Sequence, residues 1–368
     1  MLMAELKKIW RPITVLFILL LSVLLYFSFM HRWVKMFGYG DGTDIMSVEM
    51  NILSDWIDKY GNTIDQTDFV EIEAVYRLHL SQADAVIAGD DYFRDNGVND
   101  YEDFLDYEQN YHTQEGYDIH VYREMVRLIT ENSGYSPIYF QEYKHLIQQY
   151  KTFSERGDSI LPSQVMTYTN YYLAFLAVWC LICVFFVAAP VMVNDRGNNV
   201  VPAQYSSKKG KKIYRVQYVS MLISSVFVVS ICIFIGMAVW RTTGTFTFAG
   251  SNLASFLNTE IPVISMTYKS YILFFLLLIC LMAIGMGSII FFLSAQSANI
   301  IVMLLKTIPV LALGLIITLL LQNAFCESNV MYQLINIKCC EVIIGIIIFV
   351  VGLTLNLYKY RIMQKKDC

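Results

Sequence analysis

No cysteine lies between His31 and Val165. A disulfide framework is therefore excluded there, and a domain in that stretch must be held by its own core. Acids are scarce everywhere else. Residues 31–165 hold 25 Asp and Glu against 10 Lys and Arg, which leaves six acids and 17 bases for the remainder. The chain has no G-x-x-x-x-G-K-[S/T] loop to cradle a nucleotide phosphate. Gly210-Lys211-Lys212 lacks both the first glycine and the hydroxyl. No H-E-x-x-H pair, Ser/His/Asp set or paired carboxylates sit near a membrane interface, so a membrane enzyme is disfavoured. The acidic, glycine-bearing stretches Gly40–Asp44 and Asp90–Asp106 do not fit a calcium loop and read as solvated loops. All five histidines (His31, His79, His112, His120, His145) fall in the acidic stretch without zinc-like spacing, so no metal site is expected.

What is present is apolar length. Hydrophobic residues make up 56% of the chain and mean hydropathy is +0.48. A helical span needs about 20 apolar residues to cross a core about 30 Å thick. Runs of that kind cover residues 13–30, 168–193, 216–240, 271–294, 300–321 and 342–357. They are continuous and do not alternate, which predicts helices and not barrel strands. The expected fold is an α-helical polytopic membrane protein. It has six spans, with a mostly helical domain inserted between the first and second. The segments are an N-terminal helix (1–12), span one (13–30), the inserted domain (31–165), span two (166–193), a loop (194–215), spans three to six (216–358) and a tail (359–368). Residues 13–30 are too long for a signal peptide and show no small-x-small cleavage site, so an uncleaved span is expected.

Charge sets the orientation. Lys7, Lys8 and Arg11 precede span one; Arg196, Lys208, Lys209, Lys211, Lys212 and Arg215 follow span two; Lys359, Arg361, Lys365 and Lys366 end the chain. With six spans these three segments share one side, which the positive-inside rule makes cytoplasmic. The acidic domain then lies outside, since long domains translocate largely regardless of charge.

The N-terminus reads as an amphipathic helix in the inner interface. Leu2, Leu6, Ile9 and Trp10 share a face; Glu5, Lys7 and Lys8 lie opposite. In the inserted domain three sets recur at helical spacing: Phe69, Ile72, Val75, Tyr76, His79 and Leu80; Val121, Met125, Leu128 and Ile129; Phe140, Tyr143, Ile147 and Tyr150. Its many tyrosines fit either internal packing or a surface for a peptide or lipid headgroup. Cys180 and Cys183 lie inside span two and read as apolar packing. Cys326, Cys339 and Cys340 read as surface thiols, with a bridge from Cys326 to Cys339 or Cys340 as the alternative. Lys306, inside span five, is placed to snorkel to the nearer surface. Pro190 and Pro309 are kink candidates. Gly285 and Gly287 in Gly-Met-Gly-Ser permit close helix approach, within the chain or between two copies.

The loop Asn194–Arg215 is too long for a hairpin. It begins Asn-Asp-Arg-Gly, carries Pro202, Tyr205, Ser206 and Lys208, and accommodates a short helix over residues 199–206. Here the chain resembles the permease subunits of ABC transporters of the ABC type-2 (exporter) family. The layout carries the resemblance. Asp195-Arg196 is similar to the family's acid-Arg pair and Ser206-Ser207-Lys208 to its later Ser-basic element; Asp stands for the commoner Glu, and Gly197 follows directly. The resemblance implies that Asp195, Arg196, Gly197, Pro202, Tyr205, Ser206 and Lys208 form a coupling helix for an ATPase, together with the N-terminal helix (Glu5, Lys7, Lys8, Trp10). It implies two copies of a cytoplasmic ABC ATPase subunit and a second permease subunit, identical or related. The chain itself binds no cofactor, and ATP and Mg belong to the partner. Membrane lipid is a further contact, and nucleic acid is not. The implied setting is a bacterial cytoplasmic membrane, and the implied cargo a peptide, a lipid-linked molecule or a hydrophobic compound. Antimicrobial peptide resistance is one version. The alternative reading is a non-transporting sensor or secretion scaffold whose outer domain binds a protein.

Overall fold

The computed structural model of the chain describes residues 1–38, 45–113, 118–197 and 212–365. Two expected features, the loop Gly40–Asp44 and the helix over 199–206, lie outside the described residues. Chain order is α1 (Leu2–Ile9), α2 (Pro12–Leu25), α3 (His31–Gly38), α4 (Ile45–Tyr60), α5 (Gln66–Gly89), α6 (Asp91–Asp95), α7 (Tyr101–Thr113), α8 (Ile119–Ser133), α9 (Pro137–Phe153), α10 (Ser163–Ala188), α11 (Pro190–Gly197), α12 (Ile213–Arg241), α13 (Tyr268–Ser294), α14 (Ile300–Leu319), α15 (Val330–Ile335) and α16 (Cys340–Lys365). No strand occurs among the described residues, only isolated bridges.

Six helical stretches are long and apolar enough to cross a membrane: Pro12–Phe37, Ser163–Val193, Ile213–Arg241, Tyr268–Ser294, Ile300–Leu319 and Cys340–Ile362. The chain thus has the make-up of an α-helical multi-pass membrane protein, as its hydropathy predicts. Spans one, two, three, four and six run longer than the apolar runs suggested, because flanking residues stay helical. Span one passes from α2 to α3 through a π turn at Tyr26–Met30 that no sequence signal announced. Pro190 breaks span two as expected: the helix stops at Ala188 and restarts as α11. Ser294 donates to the Ala189 carbonyl at this break (2.5 Å). Pro309 sits inside the single helix α14.

The chain divides into two compact units: Met1–Met36, Ser163–Ala249 and Glu260–Cys368 in one, Phe37–Pro162 and Gly250–Thr259 in the other. In the first, spans two and four form the axis. Their most apolar stretches are 78% and 56% buried, against 11–33% for the others. Many polar groups inside it are paired, as a solvent without water demands. Trp33 Nε1, Ser220 Oγ and one oxygen each of Glu5 and Glu341 find no hydrogen-bond partner among the described residues. Tyr214 donates to Asn356 (2.6 Å), whose amide donates to the Ser288 and Gly352 carbonyls (2.8 Å each). The glycines make intrachain contacts. A Cβ on Gly285 would lie 2.7 Å from the Phe349 Cα of span six; one on Gly287 would lie 2.5 Å from Val184 of span two.

The second unit is the inserted domain, and it is helical as expected. Ala83, Ile87, Phe93, Phe104, Met125, Ile129 and Phe140 form one core cluster. Each of the three predicted periodic sets contributes buried residues. His79 is a packing histidine: Tyr135 stacks on it, and the Tyr135 and Tyr139 hydroxyls lie 3.0 and 3.2 Å from its ring nitrogens. The acids of 90–106 are not one solvated loop. Asp90 accepts from the Tyr92 amide and Asp100 from the Asp103 amide (2.9 Å each), so they cap helix starts.

One boundary differs from expectation. Residues 250–259, from the connection between spans three and four, belong to this unit. Ser159 Oγ accepts from the Asn252 amide (2.7 Å), and Ser255 Oγ donates to the Ser159 carbonyl (2.6 Å). Gly157 permits the approach: a Cβ there would meet the Ala254 carbonyl oxygen at 2.3 Å. Sequence periodicity does not report such a loop, because it has none.

Glu49 on α4 is 8% exposed. Burial, and then the neighbouring charge of Glu142 on α9, push its pKa up to about 7. A carboxyl raised in the fold binds its proton more tightly when folded. Its burden on stability is therefore absent below about pH 4.5 and grows as pH rises through 7. We predict that Glu49→Gln stabilises α4 at pH 8.5 by about 2–3 kcal/mol and changes little at pH 4.5. Hydrogen exchange of α4 in the full chain, corrected for intrinsic rates, measures this; equal effects at both pH values would refute it.

Candidate functional site

The site lies within the first unit, where α1 meets the ends of spans two and three. Pro12 starts span one with its fixed φ, and Arg11 before it is extended (ψ 144°). The chain thus turns sharply between α1 and span one, and α1 packs against α12.

Lys8 is the centre. Its Nζ donates to Glu5 Oε1 (2.8 Å) and to both oxygens of Asp195 (3.1 and 3.0 Å). Gln217 of span three donates to Asp195 Oδ2 (2.7 Å). Asp195 is 4% exposed. Three segments are joined here: the N-terminal helix, the helix that opens the loop after span two, and the second turn of span three. Burial would lower the Lys8 pKa, but the hydrogen bonds to Glu5 and Asp195 outweigh it and hold the ammonium above its ordinary value. Lys8 thus stays charged at any physiological pH.

A second contact lies two turns further along span three. Trp10 Nε1 donates to Ser224 (3.0 Å), and its ring meets Phe227 edge-on at 5.4 Å. A cavity of about 110 Å³, lined by Lys8, Arg11, Thr14, Pro190 and Asp195 among others, lies beside the ion pair.

The predicted residues divide as follows. Glu5, Lys8, Trp10 and Asp195 come together. Lys7 is exposed and outside the network. Arg196 and Gly197 end α11. Pro202, Tyr205, Ser206 and Lys208 lie outside the described residues. One feature is corrected. Glu5 and Lys8 were expected on the face opposite Ile9 and Trp10, yet Glu5 and Ile9 are the buried residues of α1. The polar side turns inward because Asp195 and Gln217 offer it partners there. Sequence reasoning missed Gln217 and Ser224. Gln217, Ser220 and Ser224 form a polar stripe at i, i+3 and i+7 on an otherwise apolar span, and that stripe was the available signal.

The arrangement is a latch of charge and hydrogen bonds. Among the described residues it contains no nucleophile–base pair, and its bonds join segments. No family model, curated protein or solved structure matches the chain.

Proposed function

We propose that the chain is the membrane-spanning permease subunit of an ATP-driven ABC exporter. It uses a separate cytoplasmic ATPase subunit and moves a peptide, a lipid-linked molecule or a hydrophobic compound. The observation that carries this reading is the Lys8–Asp195 pair. It makes the N-terminal helix and the start of the loop after span two one body, so a subunit docked on that loop would move spans one, two and three together.

Further support comes from placement of charge. Lys8 of the N-terminal helix, Asp195 at the start of the loop after span two, and the adjoining ends of spans three and six lie at one end of the bundle: Lys359, near the end of span six, lies 5.6 Å from the Tyr214 ring at the start of span three. That end is the cytoplasmic one in this reading. The inserted domain then stands outside and receives or gates the substrate.

The test is affinity purification of the tagged full chain from its native membrane. We expect a nucleotide-binding subunit to co-purify, with ATP turnover that falls at least tenfold when Asp195 and Arg196 are both changed to Ala. Absence of any ATPase from the complex, or turnover unaffected by the double change, overturns the reading.

A further inference from the structure

Spans three and four leave a groove between them in the first unit. Its volume is about 900 Å³. Ser230, Ile233, Phe234, Met237, Ala238 and Arg241 line it from span three, at i, i+3, i+4, i+7, i+8 and i+11. That is one helix face, and it is not closed by the facing helix. Ser230 and Ala238 are too small to reach across, and Phe234 is 76% exposed. Leu276, Leu277 and Cys280 form the opposite wall.

We infer that this groove holds one membrane lipid with an anionic headgroup. Three observations carry the inference. First, the lining is apolar along its length, and between membrane helices such space is filled by hydrocarbon. Second, its depth matches one leaflet. From Ser230 to Arg241 is eleven residues, or about 16 Å, against about 30 Å for the whole hydrocarbon core. Third, the charge lies at the correct end. Arg241 closes span three and is exposed, with no hydrogen bond or ion pair among the described residues. Lys269 opens span four at the same end and lies eleven residues before Cys280, on the groove-lining face by helical spacing. The acid nearest in sequence, Glu260, accepts from Asn323 and Ser328.

A lipid seated here would place its phosphate between Arg241 and Lys269 and one acyl chain along Met237, Phe234 and Ser230. Arg binds phosphate through its planar fork and Lys as a point charge. A neutral headgroup would use the apolar wall but gain nothing from the two cations.

Native mass spectrometry of the delipidated full chain, titrated separately with phosphatidylglycerol and phosphatidylcholine, tests this. Wild type should retain one phosphatidylglycerol in clear preference. Arg241→Gln should weaken that binding about five-fold, and Arg241→Gln with Lys269→Gln about twenty-fold, with phosphatidylcholine unchanged. Ala238→Trp fills the groove from its open side and should remove the bound lipid of either kind. Lys306→Gln, which alters a base at the other end of the bundle, should change nothing. Unchanged preference in Arg241→Gln, or an unchanged lipid count in Ala238→Trp, identifies unspecific boundary lipid and overturns the inference. So does a change in the dimer fraction on Ala238→Trp without loss of lipid, which would make the groove a contact between copies.

Discussion

Gly285→Leu will leave almost no folded protein. At this position span four touches span six backbone to backbone. A Cβ on Gly285 would sit 2.7 Å from the Phe349 Cα and 2.8 Å from its nitrogen. The contact is reciprocal, since a Cβ on Gly352 would meet the Gly285 carbonyl oxygen at 2.5 Å. Backbone atoms have no rotamer with which to yield, so the helices must separate. Overpacking a membrane or soluble core costs about 1–3 kcal/mol when side chains give way, and more when they cannot. We expect about 3 kcal/mol or more here. Two neighbouring glycines supply the contrast. Gly287→Ala meets a Val184 methyl at 2.5 Å, and Gly314→Ala meets the end of the flexible Met286 side chain at 2.5 Å and a Leu181 methyl at 3.0 Å. Their costs should fall in the order Gly285, Gly287, Gly314. Thermal melts of the detergent-solubilised variants measure that order. Equal melting for Gly285→Ala and Gly314→Ala would show that spans four and six do not approach as described.

These glycines also show what the sequence could and could not convey. Gly-Met-Gly-Ser announces a close helix contact, because small residues are what such a contact needs. It does not say which helix comes close. The partner glycine, Gly352, lies in a run with no distinguishing motif. The six spans were legible because each is a long charge-poor run, and α5, α8 and α9 of the inserted domain because their apolar residues recur at helical spacing; α4, α6 and α7 were not read from the sequence. The membership of residues 250–259 in that domain was not legible. Their hold is a set of serine and asparagine hydrogen bonds and one glycine, with no periodic signal. At the candidate site, Asp195 and the N-terminal helix were singled out separately. Their direct pairing through Lys8 was not foreseen, because helical-wheel reasoning assigns charged residues to the outside unless a buried partner is known.

That pairing yields the other large effect. Lys8→Met removes the only described cation shared by Glu5 and Asp195, and both carboxylates are largely withdrawn from solvent. Removing one partner of a buried pair costs about 3–5 kcal/mol, because the other charge is left stranded. Lys8 keeps 32% of its side chain exposed, so the figure here is reduced to about 2 kcal/mol. The loss falls on a local contact. The helix Leu2–Ile9 should detach from span three while the spans themselves remain folded. Trp10 reports on this directly, since its indole N–H is held by Ser224 and its ring by Phe227. Its emission should shift to the red, and trypsin should cut after Lys7, since Pro12 protects the bond after Arg11. To keep the other four tryptophans from masking the signal, the comparison is made in a Trp10-only background. Asp195→Asn should have a smaller effect, because its amide still accepts from Gln217. The double variant should cost less than the two single changes together, by about 1 kcal/mol or more, as directly contacting charges require. Additivity in that cycle would mean that the N-terminal helix and the loop after span two are not joined through Lys8. The mechanical link on which the permease reading rests would then be lost.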